Sequence, residues 1–287
     1  MGRSESQGHN HRLERLLLVL PGVLLVTIFW LVPLGVIFIF SFYTNNPFGG
    51  YDPIFTFQNF RAIGIEPFYR KIFFDRTLVN AIVVTVACVL VGYPVAYRLA
   101  RMPEKRAAKL LVIIVVPFLT ATIFRVYGLV YLLGNKGFIN SLLMSLGASP
   151  IKLIWNKAGV IIGFLNVLLP YMILTLYASI VQVDRSLEEA ARMLGASGWK
   201  AFLYILLPLT KPGIATGCIF VFAIAIGTFE VPAILGGMRE MAISMLIQQK
   251  VGLMNYPMAS ALAVALLVLV VAVFALMRRL LGGKIRL

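Results

Sequence analysis

A chain of 287 residues that is 60% hydrophobic and 13% charged carries about half the ~25% charge usual in soluble domains. It cannot hide that much apolar surface from water, so the bilayer must be its solvent. The net charge of +15 would suggest nucleic acid in a soluble protein. Here the basic residues fall in short segments between apolar runs, a membrane-topology pattern that argues against a nucleic-acid partner. Cys88 and Cys218 sit in apolar runs, without the pattern of a disulfide framework or zinc site, and read as small buried hydrophobes.

Residues 1–15 form a polar tail with Arg3, Arg12 and Arg15, the first part of it expected to lack fixed structure. The apolar run that follows is too long for the h-region of a cleavable signal, and no small-x-small site closes it. It predicts a first span over 16–42. Residues 43–77 are polar. Asn45, Asn46, Pro47, Gly49, Gly50 and Pro53 predict turns. Phe55, Phe57, Phe60, Phe68, Tyr69, Phe73 and Phe74 predict that part of the segment rests on the membrane interface.

Further spans are predicted over 78–100, 109–133, 158–181, 213–235 and 257–280. A basic segment, 101–106, separates the second and third, and the apolar piece Phe138–Leu146 is too short to cross. Runs of this length predict helices rather than barrel strands. The expected fold class is therefore an all-α integral membrane protein, with six spans within 16–280 and a tail at 281–287. With both termini cytoplasmic, that side holds sixteen Lys and Arg and the other nine, Arg125 lying within a span. The positive-inside bias selects that orientation.

The longest amphipathic stretch lies in the loop 184–211, on the expected cytoplasmic face. Leu187, Ala190, Ala191 and Leu194 fall at i, i+3, i+4 and i+7, the apolar stripe of a short helix over 187–194. Gly195 ends it, in the left-handed C′ conformation where a Cβ would be costly. Trp199, Phe202, Leu203 and Leu206 form a second stripe returning to the membrane. Two short amphipathic helices meeting at a glycine make a docking element for a cytoplasmic partner. Ser186 and Glu189 have capping-box spacing, so Glu189 either caps its own helix or contacts that partner. Asp184 and Glu188 add negative charge at the helix N-terminus, which the macrodipole favours.

The chain has no G-x-x-x-x-G-K-[ST], and Gly195-Ala-Ser-Gly-Trp-Lys lacks both the spacing and the strand context of a phosphate-binding loop. No nucleophile–base set lies near a span end, so an enzyme is not expected. Arg125 and Glu230 are ionisable residues within the predicted third and fifth spans, ~24 and ~26 Å along them at 1.5 Å per residue. An unpaired charge at mid-span costs at least ~2.5 kcal/mol. Either the two pair structurally, or Glu230 faces a water-filled path and attracts a cationic substrate, or the side chains snorkel to the interface. Tyr127 and Asn166 are further pathway candidates, and Asn166 is expected to face the bundle. Pro94, Pro117, Pro170 and Pro232 each free a backbone carbonyl and can bend a helix.

Glu189-Ala190-Ala191, three residues, Gly195, nine residues, Ile205, one residue and Leu207-Pro208 resemble the EAA motif of bacterial ABC importer permeases. Residue types, spacing and position between the fourth and fifth spans all agree. In that family the first short helix is a coupling helix seated in a cleft of the ATP-hydrolysing subunit. The resemblance implies a type I ABC importer permease fold in the bacterial inner membrane. It implies coupling through Leu187, Glu188, Glu189, Ala190, Ala191, Leu194 and Gly195, with ATP and magnesium held by a partner ATPase dimer and no cofactor or metal in this chain. A second homologous permease, an extracytoplasmic solute-binding protein and membrane lipid are the other implied partners.

A second set of residues narrows the resemblance. Leu90-Val-Gly-Tyr-Pro-Val-Ala-Tyr-Arg-Leu-Ala100, Val116-Pro-Phe118, Thr120, Arg125-Val-Tyr-Gly-Leu129 and Lys136-Gly-Phe-Ile-Asn140 resemble the first permease of spermidine/putrescine importers. The implied substrate is a polyamine. Permeases for opines, amino compounds and iron share much of this pattern. A secondary transporter driven by an ion gradient is the reading from another class, with Glu230 as its one deep carboxylate.

Overall fold

A computed structural model describes residues 4–280 of the chain; the predicted tail at 281–287 lies outside them. Helix α1 (Ser4–Phe40) begins inside the polar segment expected to lack structure, where Glu5, Arg12 and Glu14 are good helix formers. The polar segment after it contains a hairpin, β1 (Tyr43–Asn45) and β2 (Tyr51–Phe55), antiparallel with Asn45 opposite Tyr51. Its turn is closed by Asn46, which accepts from Phe48 N–H at 2.9 Å and donates to Asp52 Oδ1 at 2.9 Å. Aromatic rings cover it, with Phe42 stacked on Phe55 at 5.0 Å and Tyr43 on Tyr51 at 5.6 Å. The segment predicted to turn and to rest in part on the membrane interface is built as this small sheet followed by α2 (Gln58–Ile65).

Helix α3 (Pro67–Ala100) starts eleven residues before the predicted second span. Arg70, Lys71, Asp75 and Arg76 mask its first turns in a hydropathy reading, although Tyr69, Ile72 and Phe73 are buried there. These side chains form a small core with Ile243, Leu246 and Leu262. A π-helical register over Ile72–Leu78 joins this entry to the span.

The predicted third span, 109–133, is not one helix. Helix α4 (Glu104–Leu119) ends in a 3₁₀ turn at Val116–Leu119, and the chain bends by 98° before α5 (Thr122–Leu133) and α6 (Phe138–Ser145). Pro117 lies at the break and has no N–H to continue the ladder. The connection after α6 is held by the buried side chain of Asn140. It donates to the carbonyls of Gly134 and Ile151, each at 2.9 Å, and accepts from Ile151 N–H at 2.7 Å. Helix α7 (Lys157–Val181) matches the predicted fourth span within a residue.

After α8 (Arg185–Met193), helix α9 runs from Gly198 to Gly227 and passes the prolines at 208 and 212. A π turn at Phe202–Leu206 sits just before Pro208, where a missing N–H disrupts the regular ladder. The helix that carries the predicted fifth span therefore begins well before 213. It also ends earlier, at Gly227. Pro232 has no N–H to give the Thr228 carbonyl, and Ser244 Oγ donates to that carbonyl instead, at 3.1 Å. A π turn (Pro232–Gly236), a 3₁₀ turn (Gly237–Glu240) and the unpredicted α10 (Ile243–Gly252) follow, then α11 (Tyr256–Leu280).

Among the described residues, five helices are long and apolar enough to cross a membrane, or six if the bent pair is one span. The main core lies where α3, α7 and α9 pack together around Val84, Cys88, Leu168, Met172, Leu176 and Phe222. Glycines allow the close approach. A Cβ at Gly217 would lie 2.7 Å from Met172 Sδ, and one at Gly92 3.2 Å from Met172 Cγ. Helix α1 stays outside this core, with none of its apolar window buried, and packs against α11.

Candidate functional site: the loop between α7 and α9

Helix α8 is bounded by two local devices. At its start, Asp184 Oδ1 accepts from the N–H of Ser186 at 2.9 Å. That donation holds the Asp184 carboxyl below the usual carboxylate range. The expected Ser186–Glu189 capping box is not formed, because the helix begins at Arg185 and Ser186 is already inside its first turn. Glu189 is exposed and has no capping role. At the other end Gly195 has φ +86°, the left-handed conformation expected of it. Its N–H donates to Arg192 O and that of Ala196 to Ala191 O, both at 3.0 Å. This is the Schellman pairing. Ser197 then caps α9 by accepting from Lys200 N–H at 3.3 Å.

The inner face of α8 is tied to the end of α3. Glu188, 8% exposed, forms an ion pair with Arg101 Nη2 and accepts from Tyr97 Oη at 2.9 Å. Arg101 also donates to Val183 O at 3.3 Å, and Arg185 donates back to Ala100 O at 3.0 Å. One turn deeper, Tyr93 Oη and Thr210 Oγ1 are 2.8 Å apart, joining α3 to α9. Phe202 sits edge-on to Tyr93 at 5.3 Å and stacks on Trp199 at 5.2 Å. A charge-assisted pair with little water around it is stronger than a surface one, so α8 is fastened to a membrane helix rather than hung on a loop.

The outer face is apolar and uncovered. Leu187 is 45% exposed, and Met193 and Leu194 are each 89% exposed. Glu189 and Ala190 share that exposure, while Ala191 is half-buried. Of the residues expected to couple to a partner, Leu187, Glu189, Ala190, Leu194 and Gly195 are thus on the accessible surface, and Glu188 points inward. Sequence reasoning missed the anchors Tyr97, Arg101 and Arg185. The available signal was a polar ridge at helical spacing, Tyr93, Tyr97 and Arg101, on the last turns of an apolar span.

The pathway candidates are placed differently from expectation. Arg125 and Glu230 form no ion pair. Arg125 donates to Thr122 Oγ1 at 3.4 Å, and its Nε and Nη1 are buried without a protein partner. Glu230 lies beyond the break at Thr228, outside continuous α9. Asn166 is exposed on α7 rather than turned into this chain's bundle, and Tyr127 on α5 is exposed as well. The elements carrying these residues do meet: α5 packs against α7 and against the Pro232–Gly236 turn. No cluster of three metal-ligating side chains occurs among the described residues.

The chain is thus an apolar helical bundle with a short amphipathic helix clamped to its core. The chain belongs to the family of binding-protein-dependent transport system inner membrane components, whose model matches residues 16–286. It is 36% identical over 253 residues to the spermidine/putrescine transport system permease protein PotB of Escherichia coli strain K12, covering 86% of this chain and 91% of that one. It is 34% identical over 265 residues to the Haemophilus influenzae PotB, covering 90% and 92%. Among solved structures it resembles a chain of a bacterial ABC transporter involved in import of the acidic polysaccharide alginate. There the TM-score is 0.76 at 17% identity, with 98% of this chain and 99% of that one covered. This last likeness establishes the fold alone.

Proposed function

We propose that the chain is one of two homologous permeases in an ATP-driven polyamine importer, and that α8 couples it to a separate ATPase dimer. The observation that carries the coupling is the two-sided character of α8. Its inner face is fastened to α3 through Glu188, Tyr97 and Arg101, and its outer face offers Leu187, Met193 and Leu194 uncovered. A helix so held transmits a push on its outer face to α3 and α9 instead of yielding locally. ATP and magnesium belong to the partner ATPases, and an extracytoplasmic binding protein delivers the solute. Counting α4 and the bent α5–α6 segment as one crossing makes six spans, and the Lys/Arg bias then favours both termini on the cytoplasmic side. Spermidine and putrescine are favoured as substrates over opines, amino acids or iron by the identity to the two PotB proteins.

The test is uptake by the reconstituted transporter with its binding protein. Spermidine and putrescine are expected to be carried, and Gly195→Asp or Glu189→Lys to abolish uptake while insertion persists. Uptake surviving both substitutions sinks the coupling role. A transporter that carries neither polyamine sinks the substrate assignment alone. Uptake driven by an ion gradient without ATP favours the secondary-transporter reading.

A further inference from the structure

Where the apolar part of α3 ends, the chain turns back into α4 around a cleft of about 530 Å³. Arg98, Arg101, Arg106 and Lys109 line it, with Met102, Pro103 and Leu110 as its apolar wall. Glu188 balances one of these cations, Arg101. Glu104, at the start of α4, is the nearby acidic residue in sequence and is not part of the lining. Arg98, Arg106 and Lys109 are exposed and none of them has a protein acceptor among the described residues. Positive-inside bias explains why cations gather at such a turn. It does not explain why four of them converge on one cavity with an apolar floor.

We propose that this cleft binds the phosphate of an anionic phospholipid. Two features favour a lipid over a soluble anion. First, three of the seven lining residues are apolar, which adds nothing for free phosphate but suits the glycerol and upper acyl carbons. Second, both helices carry exposed apolar strips leading away from the charges. On α3, Val95 and Val91 lie three and seven residues before Arg98; on α4, Ile113 lies four residues beyond Lys109. All three are exposed, Ile113 by 66%. A phospholipid seated with its phosphate among Arg98, Arg106 and Lys109 therefore has apolar tracks for its chains on both walls. Basic pockets between membrane helices recognise such head groups by this combination. Arg101 borders the cleft and also grips Glu188, so an occupied site adjoins the clamp on α8.

The test uses the whole transporter, released from bilayers of phosphatidylethanolamine mixed with phosphatidylglycerol or cardiolipin, and native mass spectrometry of the retained lipid. The wild type is expected to retain the anionic lipid selectively. The variant Arg98→Gln/Arg106→Gln/Lys109→Gln, which spares Arg101, is expected to retain it about 100-fold less, at roughly one unit of Lys/Arg attraction per charge removed. The charge-preserving variant Arg98→Lys/Arg106→Lys/Lys109→Arg is expected to keep it. The proposal is overturned if the wild type shows no preference for anionic lipid, or if the glutamine variant retains lipid as the wild type does. It is equally overturned if inorganic phosphate displaces the lipid, which would make this a soluble-anion site. Loss of the ATPase subunits from the glutamine variant with lipid retention unchanged would assign the cleft to a protein contact and also overturn it.

Discussion

Glu188→Ala removes the acceptor that fastens α8 to α3, and its cost can be worked from the contacts. The substitution deletes the ion pair with Arg101 and the hydrogen bond from Tyr97. Removing one partner of a buried pair costs about 3–5 kcal/mol. The low end applies here, because the Arg101 side chain is 15% exposed and keeps its bond to Val183 O. A loss of about 3 kcal/mol raises the population of undocked α8 about 100-fold, at 1.4 kcal/mol per factor of ten. Amide exchange over 185–193 should then lose about 100-fold of its protection, while the core amides of α7 do not change. ATP hydrolysis should continue but lose its stimulation by loaded binding protein, and uptake should fall with it. Arg101→Ala should do the same, and the double substitution should cost far less than the sum. If the two changes add to within about 0.5 kcal/mol, or if Glu188→Ala leaves uptake and exchange untouched, the clamp does not transmit force and the reasoning fails.

Other outcomes follow from the same geometry. Leu194→Asp should abolish uptake without lowering the thermal midpoint of the purified complex, since the side chain is 89% exposed. Gly195→Ala should cost about 1–2 kcal/mol, the penalty of a Cβ in the left-handed region. Nothing lies within 4 Å of that Cβ, so Gly195→Asn should recover much of the loss in a stability assay. Gly159→Ala should destabilise by about 1–3 kcal/mol in thermal unfolding, because its Cβ would meet the Leu153 carbonyl oxygen at 2.6 Å. Gly217→Ala should cost less, since it meets the movable end of Met172. The Asp184 carboxyl titrates below its ordinary value because it accepts from Ser186 N–H. Its contribution to α8 is therefore complete above the unfolded value near 4 and lost as pH falls through the depressed folded value. Exchange protection at 185–188 should drop with acidification in the wild type and drop less in Asp184→Asn, where only the Glu188 carboxylate is left to lose.

The parts of this fold legible in the sequence were those written in apolar length and in turn chemistry. Residues 157–181 carry no charge after Lys157, and α7 was placed almost to the residue. Gly195 could be assigned its conformation because an amphipathic stripe stopped immediately before it. The misplacements share one cause: hydropathy reports where the chain is apolar, not where its hydrogen-bond ladder is continuous. Arg70, Lys71, Asp75 and Arg76 hid the first turns of α3, although Ile72 beside them is 1% exposed. Residues 213–235 are apolar throughout most of their length, yet the ladder ends at Gly227. The capping box failed for a related reason. Spacing alone did not say that Asp184, two residues earlier, would take the cap. Glu188 was legible as a charge near a helix N-terminus. Its partner was not, because Arg101 is 87 residues away in sequence and only packing brings the two together.

The two ladder breaks bear on where a solute could cross. Irregular backbone at membrane depth is tolerated only where protein covers it or where it lines water. At Thr228 the freed carbonyl is covered by Ser244 Oγ. At the other break, Thr120 N–H is bonded locally to Pro117 O at 3.2 Å. Arg125, one turn beyond it, has a protein partner for Nη2 but none for its buried Nε and Nη1. In hydrocarbon such a group is expensive; facing a water-filled cavity it is not. Helix α5 rests on the Pro232–Gly236 turn, so the segment with the under-satisfied cation packs against the segment that follows the second break. The exposed Asn166 and Tyr127 belong to elements in the same contact group. Were a solute to pass here, a Glu230 unpaired with Arg125 would be free to attract it. A carboxylate already neutralised by the protein has little left to offer a cationic solute.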